Sequence, residues 1–313
     1  MYSRKVLRWT AEDSPNVRLG LAQARAGVEV TGETLVPGVL SYFDYLERRK
    51  WPKRQQLISL DALFPEDEGL LLFPPAWLKH SADLFNALKG RAKRQAKAMG
   101  IDPGEGGANT VWCVVDEYGV LDLVAKLTPN TNVIPSETVA LGRRWQVPPE
   151  RWCFDRGGGG KQHADRLRAM GLAAQTVGFN EAITVDLKRG LTLMEERRDH
   201  RETKYAYSNR RSEMYGTLSE LMDPEYDRGG GLKGFALPPR DLSPAAERLH
   251  RQLGPIPISY DKHGEGTLCL PPKAEMIATL YNNEGSPDEA DALVLAVYGL
   301  THKVRRAVAG ASC

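Results

Sequence analysis

The chain has 313 residues, 42% hydrophobic and 26% charged, the mix of a soluble globular protein with room for one large or two modest domains. Its net charge of +2 and pI of about 8.3 fall short of the basicity that alone would predict nucleic-acid binding, so any DNA-binding surface must come from local clustering. No run of about 18 apolar residues is present, which excludes a membrane-spanning helix; the start, MYSRKVLRWTAEDSP, lacks a signal-peptide core; and Cys113, Cys153, Cys269 and Cys313 form no C-x-x-C pair, which argues against zinc and fits a reducing cytoplasm.

Residues 1–95 read as short helices and loops rich in proline and charge. The stretch from Val39 is helical to about Lys50, and Pro52 discourages its continuation. Phe64 to Trp77 reads as a loop that docks apolar side chains, and Asp83 to Met99 as a basic helix carrying Lys89, Arg91, Lys93, Arg94 and Lys97. A different grammar begins near Met99. A short strand ends at Ile101-Asp102, and two β-rich runs, Thr110–Val115 and Val120–Ala125, flank a glycine-containing turn and predict a hairpin. Pro135–Trp145 reads as a helix, Trp152–Asp155 as a buried strand, Lys161–Met170 as a helix and Ala174–Gly178 as a strand. Strands that alternate with helices predict parallel pairing with right-handed crossovers. Beyond Phe179 the pattern predicts a hairpin over Ile183–Glu195, a helix over Tyr205–Leu221, a loop over Asp223–Ser243, two short strands within Ile256–Leu270 and a last helix over Pro287–Lys303.

Asp102 and Asp155 both sit at the carboxyl ends of predicted strands, the edge where open α/β sheets bind ligands. Each is followed by glycines, Gly104, Gly106 and Gly107 in one case and Gly157 to Gly160 in the other, which let a bulky ligand approach the backbone. Neighbouring carboxylates repel unless a proton or cation lies between them, and hard divalent cations prefer oxygen ligands. The last helix adds Asp288 and Asp291, three residues apart and so on nearly one face. Ser286, Pro287 and Glu289 predict a capping box. An acidic residue at a helix start explains Asp288 by itself; it does not explain Asp291, which abuts the apolar run from Ala292 to Val297. Singly, a strand-end aspartate is more often a turn residue than a ligand, and Asp116 and Asp122 are assigned to that class.

Four stretches carry a family resemblance: GIDPGEGGANTVWCVV from Gly100, CFDRGGGGKQHADRLRAMG from Cys153, YSNRRSEMYGTL from Tyr207 and SPDEADALVLAVYG from Ser286. Together they resemble the nuclease domain of the large terminase subunit of tailed bacteriophages, which has an RNase H-like fold; the last stretch is also similar to the closing helix of RuvC-type resolvases. The resemblance implies an α/β fold, a mixed sheet of an antiparallel hairpin plus parallel strands flanked by helices. It divides the chain into a linker and remnant of the motor domain over 1–95 and a nuclease domain over 96–313. It implies a two-metal-ion endonuclease that cuts concatemeric viral DNA with Mg2+ or Mn2+, held by Asp102, by Asp155 and by Asp288 or Asp291. Double-stranded DNA, a terminase ATPase domain or small subunit, and the portal are the implied partners, in the host cytoplasm. No G-x-x-x-x-G-K-[ST] loop occurs, so ATPase chemistry is not expected of these residues.

DNA must reach the metals across basic groups. Arg156 and Lys161, which flank the glycine run, are the first candidates, with Arg166 near them, Lys188 and Arg189 at a hairpin tip, and Arg210 and Arg211 at a helix start. His163 is expected at the surface. The competing readings are a junction resolvase, favoured by a preference for four-way junctions, and a non-enzymatic fragment of the packaging motor.

Overall fold

The computed structural model describes residues 10–30, 36–49, 60, 71–89, 94–183, 207–225, 233–259, 268–281, 283 and 285–302. The chain forms two compact units, one from residues 1–69 with 185–203 and one from residues 70–184 with 204–313. In the first, a 3-10 turn precedes α1 (Pro15–Arg25) and α2 (Tyr42–Arg48). Ser41 caps α2 by accepting from the Asp44 amide. Val17, Tyr45 and Leu60 form its small core. The helix expected from Val39 is therefore present over seven residues.

The second unit is built on a five-stranded sheet in the order β3-β2-β1-β4-β5: β1 (Ala98–Asp102), β2 (Asn109–Asp116), β3 (Gly119–Leu127), β4 (Trp152–Asp155) and β5 (Gln175–Val177). The predicted hairpin is β2 and β3, antiparallel to each other; β2 also pairs antiparallel with β1, whereas β4 pairs parallel with β1 and β5 parallel with β4. The mixed sheet matches the expected fold class. Asp116 closes the hairpin turn: one Oδ accepts from the Tyr118 and Gly119 amides and the carboxylate takes the Arg94 guanidinium. Asp122 accepts from the Trp145 indole at 2.9 Å. Both aspartates are structural, as their turn and strand positions suggested.

Side chains alternate across a strand, and the two faces bury different cores. Met99, Ile101, Trp112, Val114, Trp152 and Phe154 face α4 (Val133–Trp145) and α5 (Gly160–Ala169). Ala98, Val111, Cys113, Val115 and Cys153 face the other layer, made of α3 (Pro75–Leu88), α6 (Arg210–Met222), α7 (Pro244–Leu253), the short α8 (Lys273–Thr279) and α9 (Asp288–Thr301). The α9 run from Ala290 to Val297 is buried throughout and lies on β1, β2 and β4. A Cβ at Gly100 would collide with the backbone of Ala292 and Ala296, so this crossing requires glycine in β1.

Two expectations change, and a third is untested. The basic helix placed over 83–99 lies earlier, at Pro75–Leu88, because Pro75 sits at its first turn, where a missing amide hydrogen costs nothing; residues 98–102 are strand. Ile256–Leu270 forms isolated bridges, Leu71 with Pro257 and Tyr207 with Leu268, rather than two strands among the described residues. The hairpin over Ile183–Glu195 lies outside the described residues except for Ile183.

Candidate metal centre

Strand geometry brings the first two carboxylates together. In the parallel β1–β4 pair, Gly100 is opposite Cys153 and Ile101 opposite Phe154, so the next residues, Asp102 and Asp155, end adjacent strands about 4.8 Å apart. By the same alternation that turns Ala98 and Cys153 toward α9, both aspartates belong to the α9 face. Asp288 and Asp291 enter from the first turn of that helix. Asp102 lies within electrostatic reach of the other three carboxylates, and Asp155 and Asp288 each within reach of Asp291.

Their environments are not alike. Asp102 is buried, and its acidity is weakened well beyond the usual carboxylate range, first by burial and then by the charge of Asp291. Burial likewise raises Asp155, against the Gly157 amide that donates to its Oδ1 at 3.1 Å. Asp288, partly open, is raised by burial while the Ser286 hydroxyl opposes the shift. Asp291 has no exposed surface: the Tyr215 hydroxyl donates to its Oδ1 at 2.7 Å and the Lys273 ammonium to its Oδ2 at 2.8 Å.

Lys273 is the functional residue that sequence reasoning missed. It is the first residue of α8 and projects into the carboxylates, feeling Asp291, Asp102 and Asp288; those charges hold its ammonium protonated well above the usual lysine range despite burial. A cation at a helix start is unfavourable against the macrodipole, so a lysine following Pro271-Pro272 was the available signal that an external acid compensates it. Among the described residues no three His, Cys, Asp or Glu side chains are already gathered as a metal cage; Asp291 is engaged by Tyr215 and Lys273 instead. The donor set nevertheless fits a hard divalent cation: carboxylate oxygens only, mutually repelling, two of them buried and two partly open.

The candidate DNA contacts fall differently. Arg156 pairs with Glu181 and keeps 48% of its side chain exposed. Lys161, 66% exposed, pairs with Asp165 at 2.8 Å. Arg166 reaches Asn132 at 2.7 Å. Arg210 is held by Glu181 and the Ala182 carbonyl. Arg211 is a correction: it is buried, donates to the Pro271 carbonyl and the Met276 sulfur, and lies over the Tyr215 ring. It is an internal cation beside Asp291. His163 is a second correction, buried because it faces inward from α5. Lys188 and Arg189 lie outside the described residues.

The expected capping box is also replaced. α9 begins at Asp288 without a side-chain cap from its own sequence; the Gln252 side chain of α7 accepts from the Ala290 amide at 2.9 Å. Glu289 reaches Arg248 and Gln252, both at 2.6 Å, instead of Ser286.

No protein-family model matches the chain, and neither does any curated protein sequence. Solved structures do. The nuclease domain of the large terminase subunit gp2 of bacterial virus Sf6 superposes with a TM-score of 0.55 at 18% identity, covering 72% of this chain and 97% of that one. A mutant of that domain with calcium gives 0.53 at 17%, covering 72% and 98%, and the mutant with manganese 0.52 at 17%, again 72% and 98%. The chain thus has the fold of the nuclease domain of phage large terminase subunits.

Proposed function

We propose that this chain is a divalent-metal-dependent DNA endonuclease of a phage packaging terminase, cutting concatemeric viral DNA in the host cytoplasm. The observation that carries this reading is the convergence of four carboxylates from two strand ends and one helix around the partly exposed Lys273 ammonium. The relatives that share the fold include forms with calcium or manganese, which supports divalent metal use.

A pair of Mg2+ or Mn2+ ions would supply an activated water and neutralise charge building on the scissile phosphate. The protein's own part is positional. Asp102 and Asp155 offer oxygens from the rigid ends of paired strands, and the Gly157 amide fixes the Asp155 rotamer. Asp288 offers a partly open carboxylate. Lys273 is the resident counter-charge: it donates to Asp291 Oδ2, and its retreat would free that oxygen as a further ligand. Tyr215, with Arg211 over its ring, holds Asp291 through that exchange. ATP hydrolysis for packaging would come from a motor domain outside these 313 residues, and the portal and small subunit are the further partners proposed.

The test is plasmid nicking by the purified chain with Mn2+ or Mg2+, stopped by EDTA. Asp155→Asn should abolish cutting while its thermal melt stays cooperative; cutting at the wild-type rate would sink the assignment. Strong preference for a four-way junction over linear duplex would move the reading to a resolvase.

A further inference from the structure

A cavity of about 280 Å3 opens beside the acidic centre and shares Asp288 with it. Asn109 from the start of β2, Arg248, Arg251 and Gln252 from α7, and Ser286 from the approach to α9 are among the residues that line it. Its volume is at the lower edge of small-ligand sites, about 300 Å3 and upward; it suits one phosphate and part of its sugar, not a base pair.

The cationic side of this cavity is built from the inside. Glu289, 2% exposed, accepts from Arg248 Nε at 2.6 Å on one oxygen and from Gln252 at 2.6 Å on the other. The Tyr281 hydroxyl donates to the Gln252 carbonyl at 2.9 Å and fixes the end of α7. Arg248 is thereby gripped by one edge, and its two terminal nitrogens, the fork that matches a phosphate, make no hydrogen bond among the described residues. Arg251 stands exposed at the rim. Because Glu289 is paired with Arg248, the outstanding negative charge among the described lining residues is Asp288, which a divalent cation would cover. In DNA each strand carries a phosphate about every 3.4 Å of helix axis, so a scissile phosphate at the carboxylates brings its neighbours alongside.

We infer that this cavity is the subsite for a DNA backbone phosphate next to the scissile one, held by Arg248 and Arg251. The inference rests on the nuclease reading above and assigns that site its strand-gripping side. It follows that DNA and metal bind cooperatively, since the cation masks Asp288 from the phosphate.

The test is equilibrium binding of a short fluorescent duplex to the full chain in Ca2+, repeated over a range of salt. Arg251→Gln should weaken binding about five- to tenfold and lower the slope of log K against log salt by roughly one. Arg248→Lys retains a charge for Glu289 but loses the fork, and should weaken binding similarly with an unchanged melt. Arg144→Gln, an exposed cation of α4 on the opposite sheet face, should change neither quantity. Wild-type affinity and slope in both Arg251→Gln and Arg248→Lys, or an equal loss in Arg144→Gln, overturns the subsite. Those outcomes leave the nuclease reading standing as long as the wild-type chain nicks plasmid with Mn2+ and Asp155→Asn does not; a wild-type chain that neither binds nor nicks DNA overturns both.

Discussion

Asp291 carries no exposed surface, yet it lies in a helix whose next six residues are apolar and buried. A buried carboxyl group needs a hydrogen-bond partner on each oxygen, and Tyr215 and Lys273 supply them. Tyr215→Phe leaves Oδ1 bare and should cost about 1–3 kcal/mol in urea unfolding. Asp102 presents the opposite case, because burial and its neighbours favour its neutral form. Asp102→Asn should therefore raise the melting temperature of the metal-free protein while eliminating cutting. The same residues set a pH dependence. Asp102, Asp155 and Asp288 are all raised, so above about pH 4 the folded chain holds protons that the unfolded chain has released. Their contribution to stability is complete below the unfolded value and is lost as pH rises through the folded values. Melts of the metal-free protein from about pH 5 to pH 8 should decline on this account, and the Asp102→Asn variant should decline less. The acidic residues were legible in the sequence because strand ends and the first turn of a helix are places where local pattern decides. Lys273, Tyr215 and the burial of Arg211 were not, since each is defined by a partner 18 to 76 positions away.

At the scale of the element, the centre depends on how closely α9 rides on β1. Gly100→Ala would push Ala292 and Ala296 off the strand and carry Asp288 and Asp291 away from Asp102; a loss of about 1–3 kcal/mol is expected, with cutting reduced further than stability, read by parallel melts and nicking assays. The β-rich runs flanking the 116–119 turn made the hairpin readable, and the apolar run after Asp291 made the last helix readable. The run of lysines and arginines before Met99 misled, because charge composition resembles a solvated helix while Ala98 to Asp102 in fact forms the central strand, fully buried. The capping box misled for a related reason: Ser286, Pro287 and Glu289 carry the local pattern, but Arg248 and Gln252 bind the glutamate more strongly from another helix.

For the whole molecule, cation binding should register as stability. A ligand that binds only the folded state adds about 2.7 kcal/mol at a hundredfold excess over its Kd, so Mg2+ or Mn2+ should raise the melting temperature, EDTA should reverse the rise, and Asp102→Asn should show little of it. The near-neutral overall charge gives no sign of the nucleic-acid partner proposed above, because the candidate arginines are interleaved with acids such as Glu181 and Glu289. Opening of parts of the fold need not be uniform, and the Gln252 amide couples two parts of it. One side chain from α7 receives the Ala290 amide, and its nitrogen holds Glu289. Whatever frays the end of α7 uncaps α9 at the turn bearing Asp288 and Asp291, so deuterium uptake at the Ala290 amide should keep step with that of α7, and transient disarming of the centre becomes a measurable exchange rate.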